Sequence, residues 1–323
     1  MWKFRNRLAV GSNVVKKKIV YILSTGFAGS HYLSLMLGSN SRALHAGELF
    51  QLGRPPHKRK LREVVLKESP ALDGIGPLNI EQVYDIIFSR VGPNTNVLVD
   101  TSKIVRGWAD RFVDDDRYDH QYVHLIRDPQ ALVRRCLFLR GLKNQAHYRW
   151  KLMRSWSQLR PFAEWCSTPT VWLYRWLLEN KRITQFIQVH RLDATVVTYR
   201  DLAKQTEAEV RRLTEWMRLT YEPGQLEYWN YEHIGTEKRA YDWVKQQKTR
   251  YFDLRWKTEL TQELQEQICR DRLVNAYLSK MELSFTEEGL TRRPGTDPYD
   301  RRPRTGDNSC DGLDRARGGA PVG

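Results

Sequence analysis

Short apolar runs recur along the chain, each closed by small or polar residues and followed by a segment of helical character. KKKIVYIL (16–23) combines β-branched and apolar residues without a helical period, which predicts a strand buried on both faces. The stretch STGFAGS follows it. Next comes HYLSLMLG, where Tyr32, Leu33, Leu35, Met36 and Leu37 predict a largely buried helix closed by Gly38. HAGELF follows that helix and a short second strand, and NVLVD (96–100), QYVHLIR (121–127) and ATVVTYRDL (194–202) each repeat the strand with a helix after it. Strands alternating with helices predict an α/β fold of three layers, α/β/α, with a parallel sheet of about four or five strands.

Between Leu137 and Gln188 the pattern changes to Trp- and Arg-rich amphipathic segments such as HYRWKLMRSWSQLRPFAEW. These predict a helical insertion over about 137–190, with a cap over the site as one option; the Trp/Arg stretch 149 to 176 reads more readily as a core-facing helix pair than as an acceptor platform, and Asn180 to Arg182 as a solvated turn. From Glu287 the chain is rich in Gly, Pro, Arg and Asp and almost free of large apolar residues, which predicts a disordered tail over 287–323. The expected organisation is therefore a basic leader at 1–17, one domain over 18–286, and that tail.

Composition narrows the class. Of 323 residues, 41% are hydrophobic and 28% charged, which excludes a wholly disordered, collagen-like or disulfide-stapled chain. The run Ile19 to Leu23 is too short to cross a bilayer, and Met1 to Lys18 lacks the apolar stretch of a signal peptide, so a cytoplasmic chain is expected. Cys136, Cys166, Cys269 and Cys310 are scattered with no CxxC pair, and no metal is expected. The formal net charge of +15 suits a polyanion: nucleic acid, an anionic membrane surface, an acidic glycan or a highly charged nucleotide. Charge alone does not choose among them.

Thr25 to His31 is a Gly/Ser-rich turn between a buried strand and a helix, a form that presents backbone N–H groups to phosphate or sulfate. It lacks the G-x-x-x-x-G-K-[ST] spacing and the Lys of the ATP/GTP loop, which disfavours a Mg-dependent kinase or NTPase. VHLIRDPQALVRR places Arg127 at the end of a buried strand with Pro129 opening a helix. LVDTSK puts Asp100, Ser102 and Lys103 at the end of another strand, and HIGTEKR (233–239) adds a Gly among polar and cationic residues.

This set resembles the sulfotransferase superfamily that uses 3′-phosphoadenosine 5′-phosphosulfate (PAPS), in its carbohydrate-type and bacterial branch. The resemblance runs from about Ile19 to about Leu283. Phe27-Ala28-Gly29-Ser30 is similar to the family's x-x-[RK]-[SG]-G-[ST] loop, and Leu125-Ile126-Arg127-Asp128-Pro129 reproduces its L-I-R-D-P strand end. Asp100 to Lys103 resembles D-S-S-K, His233 to Arg239 resembles H-x-x-G-N-x-x-R, and Leu254 to Leu260 resembles L-x-x-W-x-x-x-L. The resemblance implies a P-loop-like 5′-phosphosulfate site at Thr25, Gly26, Phe27, Ala28, Gly29, Ser30 and His31. It further implies Arg127 at the 3′-phosphate, joined by Gly235 and Arg239, with Lys238 an alternative to Arg239.

Two positions depart from the family. Its basic loop residue falls on Phe27, and its 3′-phosphate Ser falls on Arg135, a change that keeps a donor and adds charge. Lys103 is the candidate for the missing cation, against a surface Lys paired with Asp100. The resemblance implies Glu48 as the general base, the counterpart of a Glu after this helix in the glycan-modifying branch, with His31 and His45 competing; His31 instead donating to phosphate and His45 as a core or edge residue stand beside that. Arg127 has its own plainer alternative, a salt bridge to Asp128 or Asp100. The expected activity is sulfuryl transfer from PAPS to a hydroxyl or amine of a glycan or small metabolite, leaving 3′-phosphoadenosine 5′-phosphate (PAP). The rivals are a kinase-like nucleotide binder, a basic binder of nucleic acid or an anionic surface, and a catalytically weakened homologue; of these, nucleic acid is the partner least favoured.

Overall fold

A computed structural model describes residues 16–54, 69–139, 149–150, 152–154, 157–160, 166–234, 242, 244–247 and 252–299. Five strands form one parallel sheet in the order β2-β3-β1-β4-β5. They are β1 (Lys18–Ser24), β2 (Ala43–Gly47), β3 (Val97–Lys103), β4 (Asp119–Ile126) and β5 (Asp193–Thr198). Helices α1 (Ser30–Leu37), α2 (Val83–Arg90), α3 (Pro129–Leu139) and α4 (Thr168–Val189) connect them. Beyond β5 come α5 (Tyr199–Lys204), α6 (Thr206–Trp216), α7 (Trp256–Glu259), α8 (Gln262–Arg270), α9 (Arg272–Lys280) and an antiparallel hairpin, β6 (Leu283–Thr286) with β7 (Gly289–Arg292).

The continuous apolar character of β1 follows from its central place. Because side chains alternate across a strand, Val20 and Ile22 enter one layer with α1 and α6, while Ile19, Tyr21 and Leu23 enter the other with α2, α4 and α9. Gly38 lets the end of α1 lie against β2, since a Cβ there would stand 2.2 Å from the His45 backbone nitrogen. The connections from β1 reach β2 and β3 on one side, and β4 and β5 lie on the other. That reversal of strand order at the carboxyl edge of β1 is where open α/β sheets hold ligands.

Three expectations change. In the supposed insertion, α4 is the 22-residue connection into β5, and it buries Trp172, Trp176, Leu177, Ile183 and Ile187 against the sheet. It takes the core-facing reading of the stretch and not the cap; residues 140–148, 151, 155–156 and 161–165 lie outside the described residues. Asn180 sits inside α4 and is fully buried, with Oδ1 3.1 Å from His124 Nε2 and Nδ2 donating to the Trp176 carbonyl at 2.8 Å, so it is no solvated turn. The strand at 194–202 stops at Thr198, whose hydroxyl accepts from the Asp201 amide at 3.0 Å and caps α5.

The third change concerns the tail, whose expected start at 287 falls inside an ordered segment. Leu290 is fully buried and its amide donates to Asp128 at 2.7 Å. Gly289, at φ 124°, makes that approach possible, because a Cβ would stand 2.0 Å from Asp128 Oδ1. Tyr299 places its hydroxyl 2.8 Å from His124 Nδ1, and Asp297 accepts from the Val196 amide at 3.3 Å. A few apolar side chains and these buried polar contacts hold residues 287–299 where composition alone predicted none. Residues 300–323 and the leader through 15 lie outside the described residues, and no helix among the described residues is long and apolar enough to cross a membrane.

Candidate active site

The loop between β1 and α1 takes two residues into the left-handed region, Phe27 at φ 68° and Gly29 at φ 93°. Glycine adopts that region freely, whereas a residue with a Cβ pays about 1 kcal/mol for it, so Phe27 is held there by its surroundings. Ser24, Thr25 and Ser30 are buried, and the Ser24 and Thr25 hydroxyls have no hydrogen-bond partner among the described residues. Gly26 has open space where a Cβ would be. Buried hydroxyls of this kind, beside the loop backbone and the N-terminus of α1, fit the oxygens of a phosphate or sulfate group.

Arg127 comes to this loop from the end of β4. Its Nη1 donates to the Phe27 carbonyl at 2.7 Å, its guanidinium lies 4.1 Å from the Tyr199 ring centre, and its Nη2 stands 3.3 Å from an Asp253 carboxylate oxygen. The plainer alternative of a pair with Asp128 or Asp100 is therefore replaced by Asp253. Asp128 instead accepts from the β7 backbone, and burial raises its pKa. Trp176 fixes the strand end by donating to the Arg127 carbonyl at 2.7 Å. Arg135, two turns along α3, stacks on Phe27 with its guanidinium 5.1 Å from the ring centre. A cation thus stands over the loop position that carries none of its own.

On the other side of β1, Lys103, Glu48 and His31 meet. Lys103 Nζ pairs with Glu48 Oε1 and lies 3.3 Å from His31 Nδ1, and His31 Nε2 is 3.8 Å from Glu48 Oε1. Lys103 is thus partnered by Glu48, not by Asp100. Gln51 donates to the second Glu48 oxygen at 3.0 Å. Asp100, fully buried, accepts from the Ser102 amide at 2.7 Å, from Tyr84 and Trp108 at 2.8 Å each, and from the Ser102 hydroxyl. That hydroxyl in turn accepts from the Phe50 amide at 3.1 Å. The network ties the end of β3, where Lys103 turns at φ 64°, to the turn that carries Glu48. Burial raises the Asp100 pKa, and four donors work against the shift.

His45 lies behind this cluster, fully buried, with Nδ1 2.7 Å from the Ser34 hydroxyl and its ring 6.3 Å from His31 and 5.6 Å from His233. Burial pushes His45 well below its ordinary range and His233 down to about 4, so both are neutral. Thr25 through His31, Glu48, Lys103, Arg127 and Arg135 are therefore gathered at one edge of the sheet. Gly235, Lys238 and Arg239 lie outside the described residues. Sequence reasoning missed Gln51, Tyr199 and Asp253; of these only Asp253 carried any local signal, immediately before the LRWKTEL segment. No group of three His, Cys, Asp or Glu side chains among the described residues is arranged to hold a metal ion.

No family model matches the chain, and no curated protein matches it. Solved structures that align with it include the following three. One is a sulfotransferase domain from the curacin biosynthetic pathway, with TM-score 0.49 and 18% identity over 81% of this chain and 98% of that one. Another is the sulfotransferase domain of the Synechococcus PCC 7002 olefin synthase, with TM-score 0.40 and 16% identity over 80% and 94%. A sulfotransferase from Alicyclobacillus acidocaldarius aligns with TM-score 0.39 and 15% identity over 66% and 90%.

Proposed function

We propose that the protein transfers a sulfuryl group from PAPS to a hydroxyl or amine of a glycan or small metabolite. One observation carries this: an anion-type loop met by the buried Arg127 and, across β1, the Glu48–Lys103–His31 cluster share one edge of the sheet. The sequence motifs for both halves support the same chemistry.

Bound PAPS would supply the sulfuryl group and a nucleotide leaving group. The loop amides of Gly26 to Ser30, with the Thr25 and Ser30 hydroxyls, hold the 5′-phosphosulfate, and Arg127 holds the 3′-phosphate. Arg135, seated on Phe27, brings positive charge to the loop. Glu48 takes the acceptor's proton at Oε1, the oxygen that pairs with Lys103. Protonation there ends the ion pair and frees the Lys103 ammonium for negative charge developing on the leaving oxygen, so proton removal and leaving-group stabilisation are coupled. Gln51 and His31 keep the carboxylate in place while that happens.

Calorimetry with PAP and 5′-AMP tests the donor. PAP binds more than about tenfold more tightly, because a charge-assisted contact to the extra phosphate contributes about 1.5–3 kcal/mol. Arg127→Ala removes most of that gap, and equal affinities for the two nucleotides overturn the donor assignment. Nucleotide binding without turnover is the second reading, favoured by Phe27 in the loop. Transfer of labelled sulfate from PAPS to a panel of hydroxyl and amine acceptors separates the two.

A further inference from the structure

The guanidinium of Arg127 is already met by a carboxylate. Asp253, on the segment leading into α7, sets Oδ2 3.3 Å from Arg127 Nη2 and its own carbonyl 3.3 Å from the same nitrogen. Tyr199 places it there. Its hydroxyl accepts from the Asp253 amide at 2.8 Å while its ring lies under Arg127. Trp256 and Leu260 pack on Ala131 at the start of α3, and Arg134 donates to Glu259 at 2.8 Å, so α7 is anchored beside the Arg127 strand end.

The carboxylate's two partners are unequal. Arg255 forks onto it, Nε to Oδ1 and Nη2 to Oδ2, both at 2.8 Å, whereas the contact with Arg127 is single and longer. Hydrogen bonding from Arg255, reinforced by the charge of Arg127, holds the Asp253 carboxyl well below the usual range, so it is ionised at working pH. Arg127, only 6% exposed, keeps an Nε–H with no partner among the described residues. A buried guanidinium with an unused donor has capacity for more acceptor oxygens than this carboxylate supplies.

We propose that Asp253 is a stand-in counter-ion that trades places with the ligand's phosphate on Arg127 and thereby hastens release of the spent nucleotide. This rests on the reading in which Arg127 takes the 3′-phosphate of PAPS and PAP. A phosphate dianion brings more charge and more acceptors than a carboxylate, so it displaces Oδ2 from Arg127. Asp253 remains held by Arg255, and no carboxylate is left unpaired. When the nucleotide departs, Asp253 returns to Arg127, which offsets part of the cost of leaving the guanidinium bare.

The test compares full-length wild type, Asp253→Asn, and Asp253→Asn with Arg127→Ala, using calorimetry and stopped-flow displacement of PAP and 5′-AMP. Asn keeps the Oδ1 acceptor for the Arg255 amide and the backbone donor to Tyr199, so the segment retains its local bonds. Asp253→Asn is expected to bind PAP about tenfold more tightly and release it correspondingly more slowly, the scale of one charge-assisted contact. Its affinity for 5′-AMP is unchanged, because that ligand has no 3′-phosphate to evict the carboxylate from Arg127. The gain disappears when Arg127 is absent. Unchanged or weaker PAP binding by Asp253→Asn, or a gain that survives loss of Arg127, overturns the exchange while a wild-type preference for PAP leaves the donor reading standing. A wild type without that preference overturns both. Should thermal melting show Asp253→Asn to be misfolded, Asp253→Ser makes the same comparison.

Discussion

On the β1–β4 side of the sheet edge, a loop backbone meets one buried guanidinium. On the β1–β3 side, a carboxylate, an ammonium and an imidazole come together from elements 55 and 72 residues apart in the chain. Anion binding needs N–H groups and positive charge, which a short strand–loop–helix supplies locally. Proton transfer needs side chains held within hydrogen-bond distance, so the second side requires a rigid support. Asp100 with its four donors, and Gln51 on Glu48, provide it. Among the described residues the first side is held by Tyr199, the Phe27 carbonyl and Asp253.

The contrast is broken most severely at Glu48. Glu48→Gln lowers the turnover rate at least about a hundredfold and leaves PAP affinity nearly unchanged, since the side chain serves the acceptor proton. Lys103→Ala lowers both turnover and donor affinity, because its cation also faces the bound donor. Steady-state kinetics with PAP titration checks the pair of outcomes.

Truncation after Glu287 comes next. It removes buried Leu290 and Tyr299 and strips partners from Asp128 and His124, so it destabilises the fold by about 2 kcal/mol or more, roughly 5 °C in Tm, read by thermal melting. A melting temperature equal to that of the full chain would show that the hairpin contributes nothing to the nucleotide side.

A smaller effect distinguishes two roles for Arg135. Arg135→Ala lowers turnover several-fold, about 1 kcal/mol, and adding Phe27→Arg restores it, because the loop then carries its own cation. Loss of PAP affinity without rescue would assign Arg135 to the 3′-phosphate instead.

The smallest effect is on pH dependence. Burial pushes His124 and His233 down to about 4, so the unfolded chain binds their protons first as pH falls below about 6.5. Stability is full above that pH and declines toward 4. Between pH 7.5 and 6.0 the unfolding free energy drops by about 0.8 kcal/mol for each such histidine. Urea titrations of wild type and His124→Gln at the two pH values measure one share, and equal slopes would remove His124 from the account.

The sequence by itself determined the strands of the main sheet, their parallel arrangement, the loop and the Arg127 strand end, because each depends on a local pattern: an apolar run, a turn of small residues, an Arg-Asp-Pro stop. Lys103 and Glu48 were legible as separate candidates. Their union was not. Which carboxylate pairs with Lys103 depends on register: Leu23 aligns with Lys103 across a bulge, and Gly47 aligns with Asp100, so β2 delivers Glu48 to the end of β3. Likewise only the packing of α7 on α3 sets Asp253 on Arg127, and only the bonds to Asp128 and His124 order residues whose composition predicts none. Periodicity records how a segment meets its immediate layer; partners distant in the chain are chosen by strand register and by the geometry of buried polar atoms that each need a donor or acceptor.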